Sequence, residues 1–109
     1  MNLTKRELGI IVEFKQKLNQ KNPGAILEVI IYGSKARDDA REDSDIDLLV
    51  ITKNEDRRLT KEIRDIGYEL ELENDVTLSI QIFSENYMDY IRSIETQFIR
   101  NVDDQGIRV

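Results

Sequence analysis

The longest uninterrupted apolar runs in this 109-residue chain are only four residues each, Val29–Tyr32 and Leu48–Ile51. Runs this short cannot line a bilayer, because a spanning helix takes about 20 consecutive apolar residues. They fit buried strands instead. Residues 25–32 are rich in β-branched side chains and predict one strand ending at Gly33, and residues 46–52 predict a second. A third segment alternates: Val76, Leu78, Ile80 and Ile82 interleave with Thr77, Ser79 and Gln81, the pattern of a strand with one packed and one polar face.

Helical signals separate these strands. Thr4-Lys5-Arg6-Glu7 has the form of a capping box, in which hydroxyl and carboxylate satisfy early helix amides. Leu8, Ile11, Val12 and Leu18 then recur at helical spacing, predicting a helix to about Gln20, and Asn22-Pro23-Gly24 predicts a turn. Residues 34–44 are dense in charge and read as a short helix plus loop. Leu59, Ile63, Ile66 and Leu70 mark one face of a helix from about Arg57 to Glu73. Ser84 can cap a final helical region whose stripe is Tyr87, Ile91, Ile94 and Phe98, stopped at Gly106 before a short tail, Ile107–Val109. The order α-β-α-β-α-β-α predicts an α/β fold, a three-stranded mixed sheet with about four helices, in one domain spanning residues 1–109.

Composition narrows the chemistry. Hydrophobic residues are 39% and charged residues 35%, the balance of a compact chain with a heavily solvated surface. With no cysteine and no histidine, disulfides, thiol nucleophiles, serine–histidine triads and ordinary zinc sites are excluded. Any catalysis must run on carboxylates, Lys/Arg, hydroxyls and a hard, oxygen-liganded cation. A net charge of −6 speaks against an extended nucleic-acid footprint, which needs a clustered basic surface. The N-terminal residues lack the apolar core of a signal peptide, so a cytoplasmic location is expected.

Two short motifs offer chemistry. At Ile31-Tyr32-Gly33-Ser34-Lys35 a strand ends at a glycine, which lets backbone approach closely, and a serine follows where amides and hydroxyl could meet a phosphate. The same residues could also be an ordinary strand–turn–helix junction with a serine cap. At Asp45-Ile46-Asp47, strand geometry puts both carboxylates on one face, where they repel unless a divalent cation bridges them. A solvated acidic loop is the plainer alternative. Asp43, Asp45 and Asp47 also imitate three calcium-loop positions, but Leu48 and Asn54 stand where that loop needs glycine and glutamate.

Taken together, Gly33-Ser34-Lys35-Ala36-Arg37 followed by Ser44-Asp45-Ile46-Asp47-Leu48-Leu49-Val50 resembles the signature of the polymerase-β nucleotidyltransferase superfamily, and within it the minimal nucleotidyltransferase (MNT) group. Phe98-Ile99-Arg100-Asn101-Val102 and Gly106-Ile107 resemble the ending of such domains. The resemblance implies the small polymerase-β-like fold and a phosphoryl-transfer site. In it Asp45 and Asp47 hold Mg²⁺ and act in catalysis, Gly33 and Ser34 cradle the β- and γ-phosphates, and Arg37 (less readily Lys35) reaches a phosphate oxygen.

Two departures stand out. Asp38 occupies a position that is usually glycine in the family. Active members also carry a third carboxylate on the next strand, where this chain offers Thr77, Ser79 and Gln81, with Ser79 or Gln81 at the matching place. A neutral amide or hydroxyl is no general base there. The resemblance implies transfer of AMP from ATP, or of a monophosphate from another nucleoside triphosphate, onto a hydroxyl of a partner. That partner could be a HEPN toxin for which the chain is the antitoxin. Lacking histidine, the chain cannot contain the Arg-x₄₋₆-His motif of HEPN domains, so the acceptor is a separate molecule. The alternative is a weakly catalytic or inactive module that neutralises its partner by complex formation; an oligomer is compatible with either.

Overall fold

At the centre of the fold is strand β2 (Ile46–Thr52), seen in a computed structural model that describes residues 3–37 and 44–109. Strand β1 (Ile26–Tyr32) runs antiparallel to it, setting Tyr32 opposite Asp47 and Ile30 opposite Leu49. On the other side β3 (Leu78–Ser84) runs parallel to β2, setting Ser79 beside Asp47 and Gln81 beside Leu49. The sheet is therefore mixed, as its α-helical crossover requires: α2 (Arg57–Asn74) carries the chain from the end of β2 back to the start of β3.

A fourth strand, β4 (Ile107–Arg108), pairs antiparallel with β1 and gives the order β3-β2-β1-β4. This corrects the expected count of three strands, because the segment read as a tail covers the edge that β1 would otherwise expose. Val109 continues the contact by donating its amide to the Val29 carbonyl at 2.9 Å. Two paired residues are too few to leave an alternating pattern.

Each face of the sheet has its own helices. Val29, Ile31, Ile46, Leu48, Val50 and Leu78 pack against Ile10, Ile11, Phe14 and Leu18 of α1 (Lys5–Lys21) and Leu59, Ile63, Ile66 and Leu70 of α2. Ile30, Leu49 and Ile51 pack on the other side against Met88 and Ile91 of α3 (Glu85–Ser93) and Ile99 and Val102 of α4 (Gln97–Gln105). Helices on both faces explain why β2 reads as a continuous apolar run. Each of these fully buried side chains is worth about 1.5–3 kcal/mol against exposure.

The expected α1 stripe needs one adjustment: Leu8 and Val12 are exposed, and Ile10 and Phe14 face the core in their place. The single final helix expected after Ser84 is two helices. Thr96 starts the second by accepting from the Ile99 amide, and Glu95 makes the break at φ 50°. Threonine at this position is a helix-start signal. Of the expected stripe, Ile91 is buried, whereas Tyr87 on α3 and Ile94 just after it are exposed. Among the described residues no helix is long and apolar enough to cross a membrane.

Gly106 ends α4 for a steric reason. Its φ is −65°, so no left-handed cap is involved, but a Cβ there would lie 2.4 Å from the Val102 carbonyl oxygen and 2.8 Å from Ile30 Cγ2. Gly106→Ala and Gly106→Asn should therefore both destabilise the fold, by about 1–3 kcal/mol in urea denaturation, as overpacking does. A neutral Gly106→Asn would mean that the glycine serves as a conformational cap instead.

Candidate functional site

The chain leaves the sheet abruptly at the end of β1. Tyr32 is extended, and Gly33 turns to φ +71° to open a three-residue 3₁₀ turn, Gly33–Lys35. The Ala36 and Arg37 amides both donate to the Gly33 carbonyl, at 3.1 and 3.2 Å, and extend the turn by two residues. Glycine is required here twice over. The left-handed φ is costly for a side chain, and a Cβ would stand 2.2 Å from Asp47 Oδ2. The helix expected to start at Ser34 is thus only a short turn within the described residues, and Ser34 sits inside it, half-buried, instead of capping it. The remainder of that expected helix and loop, with Asp38 and Asp43, lies outside the described residues.

Asp47, the second residue of β2, is half-buried with Tyr32 on one neighbouring strand and Ser79 on the other. Asp45 lies just before the strand and is exposed. Burial raises the Asp47 pKa above its ordinary value and the Asp45 charge raises it further, while hydrogen bonding from Ser79 and the Arg37 charge pull the other way. Burial and Asp47 likewise raise the Tyr32 phenol. The sheet register separates the two polar candidates on β3: Ser79 is level with Asp47, and Gln81 is two pairs further along, exposed beside Leu49. Gly33, Arg37, Asp45 and Asp47 are therefore brought together with Ser79, on the sheet face that α3 and α4 cover further along.

Lys35 is the departure. It is 2% exposed, and its Nζ lies 2.9 Å from Glu7 Oε2, so it is neither a solvated cation nor one reaching outward to a phosphate. The other Glu7 oxygen accepts from the Thr4 amide at 3.0 Å while Thr4 Oγ1 accepts from the Glu7 amide at 3.0 Å, which completes the capping box. Burial works to raise the Glu7 pKa, but the Thr4 amide and the Lys35 ammonium outweigh it and hold the carboxyl below its usual range. The sequence held a signal for this pair: Glu7 falls on the same helical stripe as Ile10, Ile11, Phe14 and Leu18. An acid on an apolar stripe calls for a buried partner.

Chemically, the arrangement offers two mutually repelling carboxylates, a hydroxyl, a guanidinium and close backbone access at Gly33. Among the described residues no group of three or more acidic, histidine or cysteine side chains is assembled for a metal. Two clefts of about 250 Å³ each lie at the opposite end of β2, around Thr52, Glu55, Phe83 and Tyr87 and around Pro23, Lys53 and Leu59; neither includes Asp45 or Asp47.

Comparison with known proteins finds relatives of this chain and of its fold. Residues 11–103 match the family described as the nucleotidyltransferase domain. Two Methanocaldococcus jannaschii proteins designated candidate protein adenylyltransferases are similar over nearly their whole length. MJ0141 is 33% identical over 103 residues, covering 94% of this chain and 97% of that protein, and MJ0604 is 32% identical over 96 residues, covering 88% and 90%. A crystal structure of a candidate nucleotidyltransferase from Sulfolobus solfataricus shares the fold with a TM-score of 0.58 at 19% identity, covering 94% of this chain and 78% of that one. A toxin–antitoxin crystal structure with AMP-PNP aligns with a TM-score of 0.53 at 21% identity, covering 88% and 69%.

Two outcomes follow from the contacts. Gly33→Ala should lower stability by about 1–3 kcal/mol through backbone strain, with further displacement of Asp47; an unchanged urea midpoint would contradict the close approach. Glu7→Ala should cost about 1–3 kcal/mol, because it removes the carboxylate that lies 2.9 Å from a buried ammonium. Since the folded Glu7 pKa is lowered, its contribution is present above the unfolded value and lost as pH falls through the folded one. The wild type should therefore lose its advantage over Glu7→Ala on acidification, and a constant difference across that range would contradict the pairing.

Proposed function

The chain belongs to the nucleotidyltransferase-domain family, as a minimal member of the polymerase-β-like superfamily, and from that premise we propose that it transfers AMP from ATP to a hydroxyl on a separate protein in a Mg²⁺-dependent reaction. The observation that carries this reading is the meeting of Gly33 with Asp47 beside Asp45: a charged pair with backbone pressed against it, at the head of the central strand. ATP is taken as the donor because the M. jannaschii relatives are designated adenylyltransferases.

The residues present suit a hard cation. All the donors are oxygens, from Asp45, Asp47 and Ser79; burial raises the Asp47 pKa and repulsion from Asp45 adds to it, and a divalent ion would relieve that repulsion. Asp45 and Asp47 hold the Mg²⁺, which when bound supplies charge neutralisation along the triphosphate. Gly33 and Ser34 seat the β- and γ-phosphates, and Arg37 balances charge on a phosphate oxygen. The acceptor oxygen then forms a bond to the α-phosphorus while the bond from that phosphorus to the bridging oxygen breaks. Pyrophosphate leaves with the electron pair, and the hydroxyl proton passes to water. The acceptor we favour is a HEPN toxin, with this chain as its antitoxin.

Ser79 favours a second reading alongside this one. It stands level with Asp47 where a third carboxylate would take the acceptor's proton, and a hydroxyl does not. A chain built this way binds nucleotide better than it turns it over, and it can restrain its partner by complex formation alone.

Labelled ATP, Mg²⁺ and the candidate acceptor decide between the two. On the transfer reading, Asp45→Asn or Asp47→Asn lowers label incorporation on the order of a hundredfold or more, and Ser79→Asp raises it. Incorporation that is absent in the wild type, with inhibition of the partner intact in Asp45→Asn/Asp47→Asn, leaves only the binding reading standing.

A further inference from the structure

We infer that Glu7, through its buried ion pair with Lys35, is a positioning residue for the Gly33–Lys35 turn, so that the head of α1 sets how tightly the site holds a nucleoside triphosphate. The inference rests on the nucleotide reading above and extends it to a residue 26 positions before the motif.

Stability alone does not explain this pair. Burying both charges costs desolvation, and apolar side chains of similar volume often serve a core equally well or better. What an ion pair adds is a single permitted geometry. Lys35 Nζ must meet Glu7 Oε2, whose partner oxygen is fixed by the Thr4 amide, and α1 is itself locked to the sheet through Ile10, Ile11 and Phe14. The anchored end therefore belongs to the rigid body of the fold.

The other end is the turn. Lys35 is its third residue, between Ser34 and the two amides that close on the Gly33 carbonyl. Fixing the Lys35 backbone fixes how Gly33 and Ser34 are presented beside Asp47. Without the anchor, the turn must be ordered by each arriving nucleotide, and that ordering is charged against affinity. Lys35 thus acts from beneath the site without touching a ligand.

The test compares the wild type with Glu7→Met/Lys35→Met, which removes both charges and keeps apolar volume. The pair Glu7→Asp/Lys35→Arg, which keeps both charges at compensating lengths, serves as rescue. Affinity for Mg·ATP is read by calorimetry, melting temperature by circular dichroism, and the amide resonances of Gly33, Ser34 and Lys35 by NMR.

The double methionine variant should melt at or above the wild-type temperature, yet bind ATP about tenfold more weakly, the loss expected of a seat no longer preorganised. Its turn amides should broaden. In transfer assays KM should rise with kcat little changed, and the Asp/Arg pair should recover most of the affinity. If the methionine variant does not fold, Glu7→Gln measured below its melting temperature takes its place. Wild-type affinity and sharp turn resonances in the uncharged variant would overturn the inference while leaving the nucleotide reading intact. A wild type that binds no ATP would overturn that reading itself, and the inference with it.

Discussion

A glycine pressed against a half-buried carboxylate is the constraint around which this protein is organised. Gly33 can approach Asp47 only because it has no side chain, and Asp47 is where it is only because β2 is clamped between β1 and β3. Apart from Thr52 at its end, the rest of β2 is apolar and covered on both faces, which is what holds an unfavourably placed charge in position. Folding alone would not select this arrangement, since burial and the Asp45 charge both oppose ionisation of Asp47. Its cost is understandable as the cost of a site.

The fold places a second buried charge next to the first. Lys35 and Glu7 join the turn to α1 on one side, while Asp47 meets the turn on the other. The two contacts differ in kind: one is an ion pair that fixes position, and the other is a close approach to a carboxylate whose ionisation burial and the Asp45 charge oppose. Together they give a turn whose backbone is determined from both sides, next to a charge that a cation can satisfy. That combination suits phosphoryl chemistry, where positioning and charge compensation supply most of the work.

Much of this was legible in the sequence. The strand alternation at residues 76–82 and the apolar runs set the order of elements; the two-residue period put Asp45 and Asp47 on one face of a strand, whereas Asp45 lies just before β2 and only its charge reaches Asp47. What could not be read was set by contacts between distant segments. Choosing Ser79 over Gln81 as the neighbour of Asp47 requires the β2–β3 register, which no local pattern records. The two residues of β4 gain meaning only by pairing with β1. Lys35 sits in a charged stretch, and its burial shows only when Glu7, on the inner stripe of α1, is placed beneath it. The break at Glu95 was hidden because the apolar residues on either side keep a nearly helical spacing, although Thr96 was a usable cap signal.

The most direct test of the central claim is an NMR titration of the isotope-labelled protein with Mg²⁺ and a non-hydrolysable ATP analogue. The account predicts saturable amide shifts concentrated at Gly33–Arg37, Asp45–Asp47 and Ser79, abolished by Asp45→Asn/Asp47→Asn. Shifts centred instead on the cleft of Thr52, Glu55, Phe83 and Tyr87, or unaffected by the double substitution, would contradict it.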